Sequence, residues 1–314
     1  MKKTITTLVT HDGNFHADDV MSTAILTDLY PQAAIVRSRD QSRISPAEGR
    51  IVYDVGLKFD PDLFMFDHHQ NDAPVREDGV PFSSIGLIWR EFGAQWLLQR
   101  GIPLEDIPHV HAKIDKGMIR TIDRLDTGDL APGAAGEFSG LSLSSIIEDM
   151  SPVFDNDDPL LLDKRFMQAV AYAKNAITMR SDVIASKIRA ERAVLQAIEA
   201  SGVSPVLELP RGMPFDGPIR KAGAEHILFV VAPREKGWTI STVREKQGSY
   251  ASRKDLPSAW AGLSGAELAA ETGVKDAIFC HKALFLAAAE TRSGILELAR
   301  QAIDFVPENS VLGV

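Results

Sequence analysis

The hydrophobic positions of this chain fall into two kinds of run. Short β-branched or apolar stretches at 4–10 (TITTLVT), 33–37 (AAIVR), 51–55 (IVYDV) and 63–66 (LFMF) predict buried strands. From Ala17 to Tyr30, Val20, Met21, Ala24, Ile25 and Leu29 recur at helical spacing, and Pro31 stops the run. Ser84–Arg100 repeats that pattern: Ile85, Ile88, Trp89, Phe92, Trp96 and Leu97 share one face, and Gly101 ends it. Strands alternating with helices predict an α/β fold with a mainly parallel sheet.

The second half is patterned differently. Residues 129–145 are rich in Gly, Ala, Ser and Pro and predict a surface loop. A helical pattern then runs from about Pro159 to Ala200 without a further Gly or Pro, and Ser201-Gly202 closes it. A helix of that length commonly bridges domains. The expected division is therefore a catalytic domain at 1–157, a helical linker at 158–202 and a smaller α/β substrate-binding domain at 203–314. In the last of these, VLEL, ILFVVA and WTISTV predict strands separated by turn signals at Pro210-Arg211-Gly212 and Glu235-Lys236-Gly237. Helices are expected at about 264–272 and 283–303, with a strand AIFC between them.

Composition narrows the class. Of 314 residues, 45% are hydrophobic and 25% charged, which are ordinary globular values and exclude a disordered chain. No apolar run approaches the ~18 residues of a membrane helix. The basic start MKKTITTLVT meets Asp12 before a secretory hydrophobic region could develop, so no signal peptide is expected. The single cysteine, Cys280, excludes an internal disulfide framework and reads as a small buried hydrophobe. A reducing, cytoplasmic setting is the expectation. The net charge of −9 comes wholly from the first 200 residues, which hold 21 Lys and Arg against 30 Asp and Glu; the rest hold 13 of each. Such acidity argues against simple duplex binding, which leaves a basic footprint. It suits either a solvated acidic surface or carboxylates gathered around cations.

Four segments concentrate the chemistry. His11-Asp12-Gly13-Asn14-Phe15-His16-Ala17-Asp18-Asp19 leaves the first strand and enters the first helix. In open parallel sheets ligands bind at the carboxyl ends of strands, and two imidazoles with a carboxylate suit Zn, Mn, Fe or Co. Against this, Asp18 and Asp19 also favour a helix N-terminus for purely electrostatic reasons. Asp67-His68-His69 directly follows LFMF, and Asp54 closes IVYDV. Each aspartate alone is as well explained by a turn; their shared placement at strand ends is what points to a site. Asp126-Thr127-Gly128 ends a further predicted helix, where Asp123 and Asp129 are expected to pair with Arg124 or Arg120 on the surface. His109 and His111 have no acidic companion nearby and are expected to be solvated.

Taken in order, His11-x4-His16-x-Asp18, the Asp54 turn (YDVG), Asp67-His68-His69 and Asp126-Thr127-Gly128 resemble the four motifs of the DHH phosphoesterase superfamily. The first motif, THDGNFHADD, is a variant with His16 in place of the usual first aspartate. With VYDVG and FDHHQ it resembles the Myg-type (melanocyte-proliferating-gene) family. Ser252-Arg253-Lys254-Asp255-Leu256-Pro257, Trp260-Ala261-Gly262-Leu263 and Ala277-Ile278-Phe279-Cys280-His281 are similar to that family's C-terminal signature. The resemblance implies that His11, His16, Asp18, Asp54, His68 and Asp126 ligate two divalent ions, manganese before magnesium or cobalt, bridged by Asp18 or Asp54. Asp67 would orient His68, and His69 would face the scissile phosphate or leaving oxygen. Arg253, Lys254 and His281 would bind substrate, with the active site between domains. The implied activity is 3′–5′ exonuclease action on RNA or short oligonucleotides. The alternatives are a pyrophosphatase-like or small-phosphoester hydrolase and a metal-bound regulatory protein without activity. No motif covers residues 129–160.

Overall fold

The computed structural model describes residues 4–156, 158 and 160–306; the expected domain boundary at 157 and helix start at Pro159 lie outside the described residues. The chain folds as two α/β units, Met1–Ala185 and Ser186–Val314, and the division falls within one 41-residue helix.

The first unit is built on a five-stranded sheet. Its strands are β1 (Thr7–Thr10), β2 (Ala34–Arg37), β3 (Arg50–Tyr53), β4 (Phe59–Asp60) and β5 (Met65–Phe66), in the spatial order β2-β1-β3-β5-β4. All neighbours are parallel except β4 and β5. Helices are α1 (Ala17–Leu29), the short α2 (Gln41–Ile44), α3 (Ser84–Gln99), α4 (Ile107–Ile114), α5 (Arg120–Asp126), α6 (Leu143–Glu148) and the long α7 (Leu161–Ser201). The chain leaves β1 for β2 on one side and returns to β3 on the other, so the gap between β1 and β3 is the switch point where an open sheet leaves a crevice. α1 is buried along most of its length and packs against α3. In α3, Ile85, Ile88, Trp89, Phe92, Trp96 and Leu97 are all buried, as their helical spacing predicts. Early in α7, Phe166, Ala169, Val170, Ala173 and Ile177 repeat that periodicity and are buried.

Three local expectations change. Residues 129–145 are not a plain loop: Pro132–Leu141 forms 3-10 turns kinked at Gly136, and α6 follows at Leu143. Ser142 caps α6 by accepting the Ser145 N–H at 3.1 Å, a signal present in the sequence but submerged in the Ser/Gly composition. His111 is not solvated; its ring stacks on Trp89 (centroids 4.7 Å apart) and its Nε2 lies 3.0 Å from the Trp89 carbonyl. His109 is exposed, as expected. Asp123 is not a surface residue but fully buried, whereas Asp129 does pair with Arg124.

The second unit carries β6 (Val206–Glu208), β7 (Phe229–Pro233), β8 (Trp238–Thr242), β9 (Ala277–Cys280) and β10 (Leu286–Ala289), ordered β6-β7-β8-β10-β9. β6 runs parallel to β7; the other neighbours are antiparallel. Its helices are α8 (Asp216–Lys221), α9 (Gly265–Thr272) and α10 (Arg292–Asp304). β7 feeds two cores by simple alternation: Phe229 and Val231 pack with Ile240, Trp260 and Leu298, while Val230 and Ala232 pack with Val194, Leu207 and Ile219. The helix expected over 283–303 begins only at Arg292. Leu286–Ala289 is instead a central strand, because ladders to β8 and β9 on either side outweigh the helix preference of its three alanines. Cys280 is buried, and burial pushes its thiol up to about 11.

Candidate metal centre

The ends of β1, β3 and β5 deliver the chemistry. His11 follows β1, Asp54 follows β3, and Asp67 with His68 follows β5. Asp54 sits at φ +56°, a left-handed conformation that a non-glycine residue adopts at some cost. That turn places its carboxylate between two imidazoles: Oδ2 lies 3.1 Å from His11 Nε2, and Oδ1 lies 3.2 Å from His68 Nε2. Gly56, two residues on, is favoured by its backbone at φ +104°, a conformation that L side chains rarely adopt, and a Cβ there would also press on the Met65 methyl.

Helix ends bring the other carboxylates. Asp18 and Asp19 open α1, where Asp19 Oδ1 accepts the His16 N–H at 2.9 Å. Asp18 Oδ2 accepts the Ser84 N–H at 3.3 Å, so the positive end of α3 steadies this carboxylate. α5 is fixed by Asp123, whose Oδ1 accepts from the Ser83 N–H and hydroxyl and from the Gly86 N–H, while Oδ2 pairs with Arg76. A side chain at Gly86 would collide with that carboxylate. Three residues along the same face of α5, Asp126 Oδ2 reaches 3.3 Å from His68 Nε2.

His11, Asp18, Asp54, His68 and Asp126 are therefore brought together, with His16 beside Asp18 and Asp126. Sequence reasoning left out Asp19, whose free oxygen lies 3.4 Å from His11 Nε2 and groups with His11 and Asp54. Its adjacency to Asp18 in a helix first turn made it look like a dipole residue only. Asp67 departs from the expectation that it orients His68. Its Oδ1 accepts the His68 backbone N–H and lies 2.7 Å from the ring Nδ1 of His69, while Oδ2 accepts the Leu57 N–H. Asp67 thus orients the His69 ring, which stays half exposed at the mouth of a crevice of about 760 Å³.

The donor set fits divalent cations. Asp18 Oδ1, Asp19 Oδ2, Asp54 Oδ1 and His68 Nε2 are buried atoms without a hydrogen-bond partner. Buried polar atoms are otherwise almost always paired, so four at one place demand an occupant. Charge makes the same demand. Burial and the Asp54 charge push the Asp18 carboxyl up to about 7, and burial with Asp18 and Asp54 pushes Asp126 up to about 10. Asp19 is likewise held well above its usual range by burial and its neighbours. Burial opposes ionisation of Asp54 as well, yet the His11 and His68 imidazoles beside it hold it below the carboxylate range. Burial also opposes a charge on His11, but Asp54 and Asp19 raise that ring to about 9. With all its carboxylates ionised, the cluster would carry more negative charge than its imidazoles can balance, which is why those carboxyls are pushed up without a cation.

The second-unit candidates make bonds within their own unit. The Arg253 guanidinium donates to the carbonyls of Ala224 and Ile227 at 2.7 and 3.0 Å and pairs with Glu225; its side chain is 7% exposed. Lys254 Nζ donates to the Ile303 carbonyl at 2.6 Å. His281 is half-buried against Phe285, and its Nδ1 accepts the Ala283 N–H. Among the described residues, no helix is long and apolar enough to cross a membrane.

Known proteins resemble the chain along most of its length. The profile of a family named MYG1_exonuc, described as "Uncharacterised protein family (UPF0160)", matches residues 7–303. A MYG1 protein of Schizosaccharomyces pombe is 28% identical over 96% of this chain and 98% of its own length. The MYG1 exonuclease of Homo sapiens is also 28% identical, over 94% of this chain and 85% of its own. A MYG1 protein of Saccharomyces cerevisiae is 27% identical over 94% and 95%.

Proposed function

Starting from a chain that belongs to the MYG1 exonuclease family, we propose a divalent-metal-dependent phosphodiesterase that shortens RNA or short oligonucleotides from the 3′ end. The observation that carries this reading is the set of four buried, unpartnered ligand atoms on Asp18, Asp19, Asp54 and His68. His11, His16, Asp18, Asp54, His68 and Asp126 hold two ions, manganese first, with Asp54 between the two imidazoles and the free oxygen of Asp19 joining the His11 side. When bound, such ions supply an activated water and neutralise charge on both oxygens of an in-line displacement at phosphorus.

The chain's own residues do the positioning. Asp67 fixes the His69 ring through Nδ1, which leaves Nε2 to face a leaving oxygen at the crevice mouth. The α3 N-terminus holds Asp18 in place, and the strained turn at Asp54 aims both carboxylate oxygens inward. The crevice also includes Arg39, a cation within reach of a substrate's non-bridging oxygens. Cytoplasmic action belongs to this reading as well.

A panel of Mn²⁺, Mg²⁺ and Co²⁺ against oligoribonucleotides, oligodeoxyribonucleotides and pyrophosphate tests it. The expected result is stepwise 3′ shortening of an oligoribonucleotide with Mn²⁺, abolished by a chelator. Hydrolysis of pyrophosphate alone would assign the chain to small phosphoesters. Metal uptake without hydrolysis of any substrate would leave a regulatory protein.

A further inference from the structure

A second hollow of about 350 Å³ opens beside the metal centre, and its wall is shared: His16 and Asp126 line both it and the larger crevice. A group bonded to a phosphate at the centre could therefore extend into it directly. The far wall comes from residues 139–148, the stretch that no motif covers. That wall is fixed from within, because the Ser145 hydroxyl donates to the Ser139 carbonyl at 3.0 Å and lies 2.8 Å from the Ser142 hydroxyl.

The lining specifies a chemistry. Ala17, Ile122 and Leu125 supply an apolar surface. Thr121, Ser144 and Glu148 add polar groups, and none of the three side chains has a partner among the described residues. No Lys or Arg occurs among the described residues that line it, and Glu148 adds negative charge. A second phosphate would be repelled. A flat, neutral group with hydrogen-bonding edges would be satisfied, and the volume is at the small end of the ~300–1,000 Å³ of ligand pockets. We infer that this hollow is a nucleoside subsite, in which the base and sugar next to the scissile phosphate rest on Ala17, Ile122 and Leu125 and are read by Thr121, Ser144 and Glu148. The inference deepens the phosphodiesterase reading and rests on it: the substrate is a nucleotide chain, not pyrophosphate.

The test uses binding, so that it is independent of turnover. In Mn²⁺, the full chain should bind adenosine 5′-monophosphate more tightly than inorganic phosphate. Thr121→Trp, at an exposed position on the rim, should weaken the nucleotide by about tenfold or more while leaving phosphate affinity unchanged. Glu148→Lys, also exposed, should let pyrophosphate compete several-fold better against the nucleotide. Equal affinity of the wild type for nucleotide and phosphate would overturn the subsite, as would an unaltered nucleotide affinity in Thr121→Trp. If nucleotide preference is present but no phosphodiester is cleaved, the subsite stands and the hydrolytic reading falls. If oligonucleotides are cleaved without any such preference, the reverse holds.

Discussion

Each unit of this protein buries charged side chains, but the two units satisfy them differently. In the first, Asp18, Asp19, Asp54 and His68 keep buried atoms with no partner. In the second, the buried guanidinium of Arg253 donates to two backbone carbonyls through one nitrogen and pairs with Glu225, while its Nε and Nη2 make no hydrogen bond among the described residues, and Lys254 holds a third carbonyl. The same contrast recurs inside the first unit. Asp123 is as buried as Asp18, yet donors from Ser83, Gly86 and Arg76 surround it. Neither burial nor a stray unsatisfied atom therefore marks a site; the convergence of unsatisfied carboxylate and imidazole atoms from several residues at one place does. Asp123 and Arg253 bond backbone groups of their own units, and the strand-end cluster is where we propose that metal binds.

The sharpest way to break this contrast is Asp54→Ala. It should lower metal affinity by more than the ~10–100-fold typical of residues that only orient ligands. It should not lower the thermal stability of the metal-free protein, since it relieves carboxylate crowding. Equilibrium dialysis against Mn²⁺ and a melting curve of the apo-protein check both halves. A large loss of stability would make Asp54 a structural residue like Asp123.

Arg253→Ala should do the opposite. Removing the guanidinium leaves the Ala224 and Ile227 carbonyls without it, at roughly 1–3 kcal/mol each, so about 2–6 kcal/mol of stability should be lost. Bound metal should not change. Denaturant unfolding alongside metal analysis decides the matter, and an unchanged midpoint would return Arg253 to the list of substrate contacts.

Asp67→Asn tests an intermediate case, since its carboxylate is paired but its partner His69 faces the crevice. Activity should fall by ~10–100-fold with metal still bound. Loss of metal instead would move Asp67 into the ligand set. The smallest effect is expected of His109→Ala, an exposed position whose stability should stay within ~0.5 kcal/mol. His111→Ala, by contrast, loses its stacking on Trp89 and should destabilise measurably more. Equal melting temperatures for the two histidine variants would remove that distinction.

What the sequence by itself determined is what local pattern encodes. Alternation and helical spacing located β1, α1, α3 and most of α7, and strand-end placement singled out His11, Asp54, Asp67 and His68. These rest on neighbours in the chain, so a single sequence carries them. Three features depended on residues distant in sequence. Asp123 reads as a surface residue until α3 packs its N-terminus over it, forty positions away from Ser83. Leu286–Ala289 reads as helix until β8 and β9 flank it. Asp19 reads as a helix-dipole residue until the β1 end sets His11 beside it. In each case the deciding interaction is a hydrogen bond, a ladder or a charge pair made across the fold. The free energy of such contacts comes from which groups tertiary packing removes from water together, and no periodicity along the chain records that.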